Sequence, residues 1–177
     1  MLHNGSCKER IVCCPALNFL ERRSSAPRLR SSASRGDTLR VRAVTTDLIT
    51  GLPGETEEEF TQTLAFIEKC GFAAMHIFPY SIRPGTKAAA MPQLTAAVKE
   101  ERAARAAQVA HRMHQTYLEG CVGRTYPVLF EQEKDGLYTG HAPNYMAVAV
   151  QGSELHNQVR EVTITACNGE TLSGVLV

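Results

Sequence analysis

Hydrophobic positions follow two different patterns along this chain, and the change falls near residue 120. In the stretch "VRAVTTDLIT" (41–50), β-branched and apolar residues run up to Gly51, the pattern of a mostly buried strand. A helix is predicted to start at Thr56. Thr56 and Glu59 have the spacing of a capping box, and Glu57 and Glu58 occupy the electropositive first turn. Phe60, Leu64 and Ile67 supply its apolar stripe, and Gly71 stands where a helix ends in the left-handed region. The carboxylates after the loop therefore have a structural explanation and are not read as catalytic. "FAAMHIFPYS" (72–81) is a second strand, followed by Pro84-Gly85. Strand, helix and strand in this order make a βαβ unit, with parallel strands and a right-handed crossover. The two Gly/Pro loops then leave the same, carboxyl, edge of the sheet, where barrels and open α/β sheets bind ligands.

From Leu94 to about Glu119 the Ala-rich, charged sequence predicts one long helix ending near Gly120. His111 and His114 are three residues apart on it. Two histidines fall short of the three protein ligands zinc takes, so they are read as solvated or packed-face residues. After Gly123 the pattern alternates. "RTYPVLFEQ", "GLYTGH", "NYMAVAVQG", "VREVTITAC" and "ETLSGVLV" are short segments separated by turn residues, and they predict a small antiparallel barrel of about five strands.

Charge changes the picture at the front of the chain. Residues 1–43 hold nine Lys/Arg against three Asp/Glu, and residues 44–177 hold ten against fifteen. The segment "RRSSAPRLRSSASRGDTLRVR" lacks strand or helix periodicity and buries little, so residues 1–43 are expected to be disordered or unrelated to the fold behind them. Their composition also suits a transit peptide or a basic arm touching RNA. No apolar run reaches the length of a membrane span. The six cysteines form no dense framework and suit reduced thiols in a cytoplasmic protein. Cys7, Cys13 and Cys14 match no zinc or iron–sulfur spacing and are read as incidental.

Taken together, "TTDLITGLPGETEEEF", "HIFPYSIRPGTKAAAMP" and "GHAPNYMAVAV" resemble the C-terminal portion of the radical S-adenosylmethionine tRNA methylthiotransferases, from about Val44 to Val177. "HIFPYS" looks most like the branch acting on threonylcarbamoyladenosine. The resemblance implies an α/β plus all-β fold: the C-terminal part of a radical-S-adenosylmethionine barrel (44–90), a linker helix (91–119) and an OB-like TRAM barrel for RNA (120–177). It implies a transferase that uses S-adenosylmethionine and four-iron–four-sulfur clusters to place a methylthio group on a modified adenosine beside the anticodon. The partner it implies is the tRNA anticodon stem-loop, not DNA or a membrane.

By analogy, Ile49, Gly51, Leu52, Gly54 and Glu55, with Tyr80, Ser81, Arg83 and Gly85, would line the S-adenosylmethionine site. Ile49 and Leu52 would pack on the adenine, Ser81 would offer a hydroxyl, and Gly51 and Gly54 would let backbone approach the ligand. Gly51→Val or Gly54→Val is then expected to damage cofactor use more than folding. Arg124, Tyr138, His141, Asn144 and Tyr145 are the RNA-binding candidates. Aromatic rings stack on unpaired bases, although aromatics in a small barrel are usually core.

The departures from the family are specific. The C-x3-C-x2-C set that holds its radical cluster is absent, and so are four of the six barrel strands and the N-terminal domain. No catalytic or metal-ligating residue is assigned here. Cluster chemistry is not expected from this chain alone, because thiolates hold such clusters. The reading is a fragment of the enzyme. The alternatives are an RNA-binding module without catalysis and a non-functional truncated product. From residue 120 on, three Lys/Arg face six Asp/Glu, which weighs against strong RNA binding by the barrel alone.

Overall fold

The computed structural model describes residues 10–13 and 43–177, arranged as two compact units: residues 10–13, 45–70 and 75–109 belong to the first, and residues 43–44, 71–74 and 110–177 to the second. Of residues 1–42 it describes only the strand β1 (Arg10–Cys13), an exception to the expected lack of structure there. Cys7, Cys14 and the rest of that segment lie outside the described residues.

The first unit is built on a three-stranded sheet in the order β1, β2 (Thr45–Thr50), β3 (Ala74–Pro79). β1 lies parallel to β2, with Arg10 opposite Thr45 and Cys13 opposite Leu48. β2 and β3 also run parallel. The Ala73 amide donates to the Val44 carbonyl at one end and the Tyr80 amide to the Thr50 carbonyl at the other, both at 2.8 Å. Between them runs α1 (Glu57–Cys70). Its capping box is reciprocal: Glu59 Oε2 accepts from the Thr56 amide at 2.9 Å, and Thr56 Oγ1 accepts from the Glu59 amide at 3.2 Å. Gly71 closes the helix at φ 62°, a conformation that favours glycine. The helix buries Phe60, Thr63 and Ile67 and leaves Leu64 half-buried. From β2, alternate residues Thr46, Leu48 and Thr50 are buried. A short 3-10 helix (Lys87–Ala90) precedes α2 (Ala96–Glu119).

The second unit is a closed five-stranded barrel. Its strands are β4 (Thr125–Lys134), β5 (Leu137–His141), β6 (Ala147–Gln151), β7 (Val159–Asn168) and β8 (Thr171–Leu176). They close in the order β4-β5-β6-β8-β7, with β7 returning to β4. All pairings are antiparallel except β6 with β8, which is parallel. Alternate residues point inward: Val128 and Phe130, Tyr138, Val148 and Val150, Val162 and Ile164, and Leu172, joined by Leu118 and Cys121 at the end of α2. Closure removes every sheet edge, so these short strands need no further partner. Among the described residues no helix is long and apolar enough to cross a membrane.

Candidate functional sites: the sheet-edge loops and the barrel surface

The loop after β2 is a tight turn with a buried anchor. Leu52-Pro53-Gly54-Glu55 has the Pro-Gly signature of a type II turn. The Glu55 amide donates to the Leu52 carbonyl at 3.0 Å, and Gly54 sits at φ 81°. Arg83-Pro84-Gly85-Thr86, after β3, repeats it: the Thr86 amide reaches the Arg83 carbonyl at 3.3 Å and Gly85 has φ 82°. Because β2 and β3 end side by side, both turns leave the same edge of the sheet, as the sequence pattern predicts.

Gly51 has a different reason to be glycine. Its φ is 73°, and a Cβ there would lie 2.7 Å from Lys99 Cγ and 3.2 Å from Lys99 Cα. The space beside Gly51 is filled by α2. On its Cβ side Gly51 therefore faces Lys99 and not open space, and Gly51→Val is expected to damage folding as well as cofactor use. At Gly54 a Cβ would meet only Met91 Cε, at 3.8 Å, so that position stays open.

Glu55 is buried and fully engaged. Its Oε2 accepts from the Gly51 amide at 2.8 Å and from Arg102 Nη1 at 2.6 Å, and the same Nη1 donates to the Glu55 carbonyl at 2.9 Å. The side chains of Arg102 and Glu55 are 5% and 3% exposed. Such a pair adds little net stability, but removing one partner strands a buried charge at a cost of about 3–5 kcal/mol. Glu55 therefore anchors the loop and is withdrawn as a ligand contact. Arg102, which local sequence pattern did not single out, also reaches Glu57 Oε2 at 3.5 Å, while Arg105 Nη1 binds Glu57 Oε1 at 2.6 Å. Arg105 holds the Glu57 carboxyl below its ordinary range. Both guanidinium groups lie over the Phe60 ring, at 5.3 and 4.9 Å.

Of the remaining edge candidates, Ile49, Leu52 and Tyr80 are half-buried, and Ser81, Arg83 and Gly85 are exposed. The Lys99 ammonium lies 5.0 Å above the Tyr80 ring. Thr50 Oγ1 and Tyr80 Oη, at the ends of neighbouring strands, are buried without hydrogen-bond partners among the described residues. Gln93 Oε1, Arg102 Nε and Tyr126 Oη are in the same position, and buried polar groups are ordinarily satisfied. No three metal-ligating side chains come together among the described residues. His114 Nδ1 donates to the Ala73 carbonyl at 2.6 Å, so of the two roles expected of the histidines, solvated or packed, His114 takes the packed one, while His111 is exposed.

On the barrel the five RNA candidates separate. Tyr138 belongs to the core, edge-on to Phe130 at 6.4 Å, with its hydroxyl accepting from the Glu154 amide at 3.1 Å. A ring held there cannot stack on a base. Asn144 is also buried, donating to Tyr117 Oη at 3.0 Å with Cys121 Sγ at 3.9 Å, so it braces the β5–β6 loop. Burial pushes the Tyr117 phenol above its ordinary range. Burial raises the neighbouring Tyr126 phenol as well, beside the Cys121 thiol. Both roles assigned to Tyr138 and Asn144 are withdrawn for these reasons.

Arg124, His141 and Tyr145 stay on the surface. Braced by Asn144, the next residue, Tyr145, is 59% exposed at φ 62°. Non-glycine residues in that region are strained and concentrate at functional sites. The Arg124 amide donates to the Cys121 carbonyl at 3.2 Å, in the turn that leads into β4. His141 Nδ1 pairs with Glu131 Oε2 at 2.7 Å.

No protein-family model matches the chain. Individual relatives do. It is 40% identical over 138 residues to a tRNA-2-methylthio-N(6)-dimethylallyladenosine synthase of Maricaulis maris, covering 76% of this chain and 30% of the relative. It is 38% identical over 139 residues to the protein of the same description in Chloroflexus aurantiacus, covering 75% and 30%. It is 38% identical over 118 residues to the threonylcarbamoyladenosine tRNA methylthiotransferase MtaB of Bacillus subtilis, covering 63% and 26%. The chain thus spans under a third of the length of these curated relatives.

Proposed function

We propose that this chain, which over three quarters of its length belongs by sequence with the tRNA methylthiotransferases, is the C-terminal part of such an enzyme. In this reading its barrel is a TRAM-type module that holds the anticodon stem-loop. Its α/β unit contributes one edge of the S-adenosylmethionine site. The observation that carries the reading is the 40% identity over 138 residues to an enzyme named for this modification.

At the sheet edge, the orphaned hydroxyls of Thr50 and Tyr80 suit a bound polar adenosyl group, with Ile49 and Leu52 as apolar contacts and Ser81 as a further hydroxyl. S-adenosylmethionine would supply the methyl group there. Among the described residues no three metal-ligating side chains come together, so no step through an iron–sulfur cluster is derived for them.

The substrate read from "HIFPYS" is N6-threonylcarbamoyladenosine. The second reading is a dimethylallyl-modified adenosine, favoured by the names of the Maricaulis and Chloroflexus relatives.

Tyr145 is the residue to test for RNA contact. Filter binding of the chain to an anticodon stem-loop is expected to weaken about tenfold in Tyr145→Ala, the worth of one stacked base. Arg124→Ala is expected to lower the slope of log affinity against log salt by about one phosphate contact. Parent and Tyr145→Ala binding alike, with both folded, would remove the aromatic from the interface.

A further inference from the structure

The loop after β2 is held through a single carboxylate. Glu55 Oε2 takes the Gly51 amide at 2.8 Å and Arg102 Nη1 at 2.6 Å, and that nitrogen also takes the Glu55 carbonyl at 2.9 Å. One guanidinium nitrogen therefore grips both the side chain and the backbone of the residue that closes the Pro53-Gly54 turn. The guanidinium is held in turn. It lies 5.3 Å from the Phe60 ring, and its other terminal nitrogen is 3.5 Å from Glu57 Oε2 in the first turn of α1. A planar fork reaches Glu55 through Nη1 and Glu57 through Nη2 at once, whereas a lysine ammonium offers a single nitrogen on a more flexible stem. Without Arg102 the buried Glu55 carboxylate would have to turn toward water, and the Gly51 amide would lose its acceptor.

We propose that Arg102 is a positioning residue. Acting through Glu55, it sets where the Gly51 amide and the Leu52–Glu55 turn stand at the carboxyl edge of the sheet, and so how that edge meets an adenosyl ligand. The geometry stands on the contacts above, while the ligand rests on the reading under Proposed function.

Amide exchange and resonance shifts in the 177-residue chain test the two parts separately. In Arg102→Met, exchange of the Gly51 amide is expected to speed up about tenfold or more, while the Ile67 amide inside α1 keeps its parent protection. The double variant Glu55→Gln/Arg102→Met removes both charges together. It keeps the unit folded if the single variant does not, and it should show the same fast Gly51 exchange. Arg102→Lys should recover less than half of the lost protection. S-adenosylhomocysteine is expected to shift the Gly51 and Gly54 resonances of the parent and to shift them less in Arg102→Met at equal concentration.

Parent-like Gly51 exchange in a variant that retains Ile67 protection would overturn the positioning role. Fast Gly51 exchange with no ligand-induced shift in the parent would overturn the ligand reading instead. A ligand shift of equal size in parent and variant would show that the anchor does not govern binding.

Discussion

Gly51→Val is expected to unfold the α/β unit, not merely to blunt its ligand edge. Two costs add at this position. A β-branched residue at φ 73° is forced into the left-handed region, at roughly 1–3 kcal/mol. Its Cβ would also lie 2.7 Å from Lys99 Cγ and 3.2 Å from Lys99 Cα. The Cα is backbone of α2 and cannot swing aside, so overpacking adds roughly another 1–3 kcal/mol. Together these approach the whole stability of a small unit. Gly54→Ala is the control: it carries similar strain at φ 81° but meets only Met91 Cε, at 3.8 Å. Urea unfolding followed at Leu48 and Ile67 should show Gly51→Val largely unfolded in buffer and Gly54→Ala shifted by about 1 kcal/mol. A Gly51→Val midpoint close to that of Gly54→Ala would show that α2 does not press on the loop.

Gly140→Ala should do comparable damage to the barrel. Gly140 pairs with Phe130 across β4 and β5, next to the register shift between Phe130 and Gln132. A Cβ there would fall onto the Leu129 carbonyl oxygen, 2.7 Å from the Leu129 carbonyl carbon and 2.8 Å from Phe130 Cα. All three obstacles are backbone in a paired strand. Relief requires β4 and β5 to separate, and that breaks a ladder the closed barrel needs on every side. The expected loss is on the order of 3 kcal/mol or more. Near-ultraviolet circular dichroism of the tyrosines during a urea titration reads it, and a parent-like midpoint would contradict the close approach of the strands.

What was legible in the sequence was local. The Thr56–Glu59 box and the Gly71 terminator rest on residues a few positions apart, the five strand segments on alternation within each segment, and the structure reproduces them. The Pro-Gly pairs announced turns for the same reason. What was not legible is carried over long separations. Glu55 reads as a loop carboxylate until Arg102, 47 residues on, closes over it. Gly51 reads as a ligand-side glycine until Lys99 fills the space beside it. Tyr138 and Tyr145 look alike in a list of aromatics. Only strand register sends one into the core and leaves the other on a strained, exposed loop. Nor did residues 1–43 contain a periodic signal for β1, whose four residues are too few to show one.

Nucleoside mass spectrometry of tRNA from source cells with and without the gene segment encoding this chain tests the proposed methylthiotransferase role most directly. Deletion is expected to remove a 2-methylthio group from one hypermodified adenosine beside the anticodon. The mass of the adenosine left behind identifies its N6 substituent as threonylcarbamoyl or dimethylallyl. Methylthiolated nucleosides at unchanged levels in the deleted cells would contradict that role.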